Sequence, residues 1–173
     1  LRSKWKAVVE KSKALANEYL NAIGPESERV LIAYVSAYGY TKEIAKILAE
    51  TIENEGIEVD LTDIEHILLG DLEMKITQST AILLGSPTIN QNTLLPVYKM
   101  FALLSPIRDK GKKAAAFGSY GWSGESVKLI QDHLANLKLK VELEGLGEKF
   151  YPSDDKRDEI VRFGKAFAQS VIG

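Results

Sequence analysis

The sequence contains no cysteine, which rules out disulfides, iron–sulfur ligation, zinc–thiolate sites and thiol nucleophiles and fits a cytoplasmic protein. Histidine is scarce. His66 falls in a connector and His133 within a helical pattern, and a structural role is expected for both. No surplus of positive charge exists either: 22 Lys and Arg stand against 24 Asp and Glu, a net charge of −2. That balance supplies no basic field for nucleic acid or an anionic membrane. No apolar run approaches the roughly 20 residues of a membrane span. The basic start at Arg2, Lys4 and Lys6 leads into an amphipathic pattern rather than a secretory hydrophobic core. The chain opens on Leu1 instead of methionine, as a piece cut from something longer would. Its 173 residues suffice for one domain with a real core but not for two comfortable ones.

What is present is organised around residues 30–41. Six residues suited to a strand buried on both faces end in a loop of hydroxyls, aromatics and a glycine, and a helical pattern begins at Thr41. A helix start offers unpaired amides and partial positive charge. Ser36 and Thr41 add hydroxyls, and Gly39 permits close approach of the backbone. A phosphate cradle is one reading. An ordinary strand-to-helix turn with Thr41 as N-cap is the other, and the loop alone does not separate them. Neither the Walker spacing nor Gly-x-Gly-x-x-Gly occurs, so a lone phosphate fits better than a triphosphate or pyrophosphate.

Along the chain, apolar residues from Trp5 to Ile23 follow helical spacing until Gly24 and Pro25. A second helix carries Ile44, Leu48 and Ile52 on its inner face and closes at Gly56. Residues 57–61 alternate as a strand, and residues 66–79 hold a loop and a short helix. Residues 81–85 form an apolar strand, followed by a helix over 95–104. Residues 113–118 form another apolar strand, and a helix spans 125–136. Residues 137–143 alternate as a fifth strand, before a last helix capped by Ser153 or Asp154 with Ile160, Phe163, Phe167 and Val171 on one face. This alternation predicts an α/β fold with a doubly wound parallel sheet. Strands one, three and four are continuous apolar runs and belong in the centre, whereas two and five alternate and belong at the edges. The order 2-1-3-4-5 follows, with ligands bound at the carboxyl ends of strands one and three.

Three loops gather at that end, at residues 36–41, 86–93 and 119–124, and none contains Asp, Glu, His, Lys or Arg. Such a site carries out no acid–base or metal chemistry of its own, and the acid cluster that aspartyl phosphorylation requires is missing. The loops offer Thr88, Asn90, Gln91 and Asn92 on one side, and Tyr120 and Trp122 among glycines on the other. These suit a flat, neutral heterocycle with a polar edge. A solvated turn and surface aromatics would account for each loop singly, but together they favour a ligand with one phosphate and one such ring, flavin mononucleotide (FMN). The basic residues Arg108, Lys110, Lys112 and Lys113 precede the fourth strand, at the opposite end, and read as a solvated loop.

Three stretches carry a resemblance: Tyr34-Val-Ser-Ala-Tyr-Gly-Tyr-Thr41, Gly85-Ser-Pro-Thr-Ile-Asn90 with Pro96, and Lys113-Ala-Ala-Ala-Phe-Gly-Ser-Tyr-Gly-Trp-Ser-Gly-Glu125. From residue 30 onward the chain resembles the flavodoxin fold, and more closely the carboxy-terminal flavodoxin-like domain of flavodiiron proteins, the A-type flavoproteins. Ala37 and Tyr40 depart from that family's commoner methionine and asparagine or serine. The resemblance implies FMN held by Ser36, Ala37, Tyr38, Gly39, Tyr40 and Thr41, by Pro87, Thr88, Ile89 and Asn90, and by Ser119, Tyr120, Gly121, Trp122 and Gly124. It implies electron relay from a rubredoxin-like or reductase donor to a di-iron centre in a separate metallo-β-lactamase-like domain, across a head-to-tail homodimer. Residues 1–25 would then be a connector helix and 26–173 the FMN-binding domain. A self-sufficient FMN-dependent quinone or NAD(P)H oxidoreductase and a flavin-free interaction domain are the alternatives.

Overall fold

A computed structural model describes residues 2–23 and 27–173, with side chains from residues 4–15 and 27–173. Its strands are β1 (Arg29–Tyr34), β2 (Glu58–Asp63), β3 (Ala81–Gly85), β4 (Lys113–Tyr120) and β5 (Leu146–Lys149). They pair in parallel in the order β2-β1-β3-β4-β5. The expected order is found, with β1, β3 and β4 central and β2 at an edge as their patterning predicts. The fifth strand, however, is a different segment from the one whose alternation placed it. β1, β3 and β4 are buried almost throughout, while β5 alternates buried and exposed positions.

The helices are α1 (Arg2–Ile23), α2 (Tyr40–Asn54), α3 (Leu69–Gln78), α4 (Leu95–Leu103), α5 (Glu125–Asn136) and α6 (Asp154–Ile172). One face of the sheet packs Val30, Ile32 and Phe117 against Ile44, Leu48 and Ile52 of α2 and Ile160 and Phe167 of α6. The other packs Leu31, Ile82 and Leu84 against Leu72 and Ile76 of α3, Val97 and Met100 of α4, and Ile130 and Leu134 of α5. Each such side chain contributes about 1.5–3 kcal/mol on burial. In α1 the apolar Trp5, Val8, Val9 and Leu15 are exposed. The expected stop at Gly24 and Pro25 lies outside the described residues.

Two expectations are corrected. Residues 137–143 are not the fifth strand. Lys138 sits at φ 68°, its amide donates to the Ala135 carbonyl at 3.0 Å, and the Leu139 amide donates to Leu134 at 3.2 Å. These bonds end α5 in a Schellman motif, with Leu134 and Leu139 buried together. The alternating leucines close a helix, Lys140 makes one bridge to Lys113, and the paired strand begins at Leu146. The basic stretch is not a solvated loop either. Asp109 is fully buried and paired with Arg108 at 2.8 Å and Lys112 at 2.9 Å. Lys112 Nζ also donates to the Ile76 carbonyl at 2.6 Å, and Lys113 pairs with Glu142. The turn is thereby pinned beneath α3.

Candidate functional site

The chain leaves β1 towards β2 on one side and, through α3, reaches β3 on the other, so a crevice opens at the carboxyl ends of β1 and β3. Its first wall is the loop into α2. Gly39 takes φ 85°, and a Cβ there would meet open space. It occupies the N-cap position without a side-chain cap, leaving first-turn amides of α2 unpartnered within the helix. Two amides of the loop converge on one oxygen: Gly39 N–H and Lys42 N–H both donate to Ser36 Oγ, at 3.1 and 3.3 Å. With both lone pairs taken, the Ser36 hydroxyl has only its proton left to offer. This is a donor-rich, positively polarised end suited to an anion.

Thr41 is not the N-cap. It lies inside the first turn, fully buried, with Oγ1 2.8 Å from Ser119 Oγ at the end of β4. Ala37 is exposed on the loop.

The second wall follows β3. Ser86 Oγ donates to the Pro87 carbonyl at 2.9 Å and accepts from the Leu94 amide at 3.2 Å, so it shapes the loop. Ile89 and Asn92 exchange backbone bonds of 3.0 Å in both directions, and Asn90 and Gln91 between them take φ 51° and 58°. Positive φ at both central residues is the signature of a type I′ turn. Asn92 Oδ1 accepts from the Thr93 amide at 2.8 Å and Tyr98 OH at 2.7 Å. Asn90 and Gln91 thus occupy an exposed turn tip, and Asn92 serves its own loop.

The third wall follows β4. Thr88 N–H donates to the Ser119 carbonyl at 2.9 Å. β4 approaches the second loop so closely that a Cβ on Gly118 would lie 2.2 Å from the Ser86 carbonyl oxygen, so only glycine fits. Trp122 is 95% exposed and Tyr38 80%, and both stand at the rim.

Between these walls lies a cavity of about 340 Å³, at the small end of the ~300–1,000 Å³ usual for ligand pockets. Eight expected residues line it: Tyr38, Tyr40, Pro87, Thr88, Ile89, Ser119, Tyr120 and Gly121. No charged residue does. Phe150, which the sequence reading missed, completes the lining. It follows β5, holds φ 61° and donates its amide to the Tyr120 carbonyl at 2.8 Å. Next to it Tyr151 meets Tyr40 edge-on at 5.7 Å. The signal for Phe150 is the Phe150-Tyr151-Pro152 run, which reaches the crest only because the fifth strand lies at Leu146–Lys149 and not at residues 137–143. Trp122 and Gly124 line a second, wider groove of about 770 Å³ beyond Tyr120, together with Glu125, Lys128 and Asp132. Asn90 lines neither.

The donor-rich loop, the uncharged aromatic cavity beside it and the open space over Gly39 fit a ligand with one anionic end and one flat apolar body. Among the described residues no group of three or more His, Asp or Glu could hold a metal ion. His133 stacks on Phe101 with centroids 4.0 Å apart, the structural role expected of it. No helix among the described residues is long and apolar enough to cross a membrane.

The profile of the flavodoxin family matches residues 32–164. A type A flavoprotein of Rhodobacter capsulatus is 35% identical over the whole chain, which spans 40% of that protein. A flavo-diiron protein of Clostridium acetobutylicum is likewise 35% identical, over 92% of the chain and 40% of its own length. The chain therefore spans about two fifths of the length of these relatives. Among solved structures, the rubredoxin oxygen:oxidoreductase of Desulfovibrio gigas superposes with a TM-score of 0.77 at 25% identity, covering 88% of this chain and 38% of that one. An archaeal flavodoxin superposes with a TM-score of 0.72 at 29% identity, covering 84% of this chain and 99% of that one.

Proposed function

Because the chain belongs to the flavodoxin family, whose cofactor is FMN, we propose that it is the FMN-binding electron-transfer module of a flavodiiron protein. In this reading it takes electrons from a rubredoxin-like or reductase donor and passes them to a di-iron centre in a separate domain, where oxygen or nitric oxide is reduced. The observation that carries the reading is the crest itself, donor-rich at the α2 end, aromatic and uncharged elsewhere. The chain's likeness to the type A and flavo-diiron proteins along two fifths of their length supports the larger assembly.

Bound FMN supplies the one- and two-electron chemistry. The residues of this chain hold, orient and shield. Amides of the 36–41 loop, with the Ser36 hydroxyl, receive the phosphate, stabilised by the α2 dipole. Tyr40, Tyr120 and Phe150 furnish apolar walls for the ring, and Pro87 and Ile89 its opposite side. Tyr38, at the mouth of the cavity, would shield an edge of the ring, and Trp122 stands on the adjoining groove beyond Tyr120. The uncharged lining leaves proton delivery to water or to the partner domain. α1 serves as the connector to the rest of the protein, and we place the whole in the cytoplasm.

Reconstitution of the purified chain with FMN, followed by its visible spectrum, tests the proposal. A stoichiometric yellow complex is expected, and a colourless chain would overturn it. The isolated chain is also expected to be inert with NADH and a quinone; rapid turnover would mark a self-sufficient reductase instead.

A further inference from the structure

Ser126, in the first turn of α5, is fully buried and outside every motif that the sequence singled out. Its hydroxyl lies 3.1 Å from the Ser86 carbonyl oxygen, which can only accept, so the Ser126 proton is committed there. The Thr88 and Ser126 hydroxyl oxygens lie 2.9 Å apart. Since Ser126 has no proton left to share, Thr88 must be the donor of that bond. The Ser126 amide then donates to Thr88 Oγ1 at 3.2 Å, taking one of its two lone pairs. What remains on Thr88, a residue lining the cavity, is a single lone pair.

We propose that Ser126 is a positioning residue that locks Thr88 into the cavity as a hydrogen-bond acceptor, so that the ligand must meet Thr88 with a hydrogen. The groups of FMN that qualify are a side-chain hydroxyl or a ring N–H. The proposal rests on the FMN reading above. It gives the site two opposed ends: Ser36 and the loop amides can only donate, matching phosphate oxygens, and Thr88 can only accept. A ligand entering the wrong way round would set a lone pair against the Thr88 lone pair and forgo the phosphate contacts of the loop amides, each costing binding. Orientation is thus set by hydrogen polarity as well as by shape.

The lock is tested first without ligand. In the chain alone, proton NMR is expected to show a slowly exchanging Thr88 hydroxyl proton close to Ser126, abolished by Ser126→Ala. Its absence in the unaltered chain, or a different neighbour, overturns the lock. The second test is a double-mutant cycle on FMN dissociation constants. Ser126→Ala and Thr88→Val are each expected to weaken FMN about fivefold to tenfold. Ser126→Ala made on top of Thr88→Val should add less than about twofold, because the residue acts through Thr88. Multiplying effects would reduce Ser126 to a structural residue and overturn the proposal. Thr88→Ser, which keeps the oxygen, should retain the affinity. Repeating the cycle with lumiflavin, which has the ring but no sugar chain, assigns the partner. Coupling that persists identifies the ring N–H, coupling confined to FMN identifies a side-chain hydroxyl, and coupling with neither overturns the proposal. If the chain takes no FMN the functional reading falls, while the hydroxyl-proton exchange still decides the lock.

Discussion

Thr41 Oγ1 and Ser119 Oγ lie 2.8 Å apart in the floor of the crest, although 78 residues separate them in the chain. The contact ties the first turn of α2 to the end of β4, and so joins the loop proposed to hold phosphate to the loop proposed to hold the ring. A hydroxyl pair buried this deeply leaves an unpaired polar group if either partner is lost.

Thr41→Val should accordingly weaken FMN binding by about tenfold to a hundredfold, the equivalent of roughly 1.5–3 kcal/mol. Titration of the apoprotein, followed by quenching of flavin fluorescence, measures it. Unchanged affinity would detach this contact from the cradle.

Trp122 stands 95% exposed at the rim, away from the amides around Ser36. Trp122→Ala should alter the flavin absorption bands and the reduction potential while changing FMN affinity by less than about tenfold. A large loss of affinity with an unaltered spectrum would contradict that division of labour.

Asp109 predicts acid behaviour at the opposite end of the sheet. Burial pushes its carboxyl up, but hydrogen bonds from Arg108, Lys112 and the Ser105 amide outweigh this and hold it below the ordinary 3.8. A depressed carboxylate stabilises the fold above its unfolded value, and that stability is lost as pH falls through the folded value. For Lys112, burial dominates over the upward pull of Asp109 and lowers it from 10.5. Its penalty at neutral pH is relieved only as pH rises through the folded value towards 10.5. Asp109→Asn should cost about 3 kcal/mol at pH 7 by leaving two half-buried cations short of a partner. It should also remove Asp109's share of the acid-side slope below about pH 4, without affecting FMN affinity. Urea unfolding at several pH values checks both.

Lys138→Gly should stabilise the chain by about 1 kcal/mol, because a residue at φ 68° bears a steric cost that glycine escapes. A rise in melting temperature of about 2–4 °C is the expected readout.

The arrangement of the sheet was legible because strands covered on both faces, such as residues 81–85, cannot carry polar side chains. The loops were legible for a similar reason, since an uncharged run of amides and aromatics between two elements is chemically conspicuous. Alternation misled at residues 137–143, where Leu137, Leu139, Val141 and Leu143 match a strand period while the backbone turns out of a helix through Lys138. That one displacement hid Phe150 and Tyr151. Asp109 was hidden by its neighbours, since a carboxylate among Arg108, Lys110 and Lys112 looks like surface unless its burial is known. Partnerships such as Thr41 with Ser119, or Thr88 with Ser126, depend on the meeting of distant segments and leave no local trace.

The gathering of the Gly39 and Lys42 amides on Ser36 Oγ has a kinetic consequence. No backbone has to refold before an incoming phosphate can take those amides over from Ser36 Oγ; only the Ser36 side chain has to turn, a fast rotamer change. Capture should therefore run at the pace of encounter, near the upper part of the ~10⁵–10⁷ M⁻¹s⁻¹ range of docking reactions. Variants of this crest will then differ in how long they keep their passenger, and hardly at all in how quickly they acquire it.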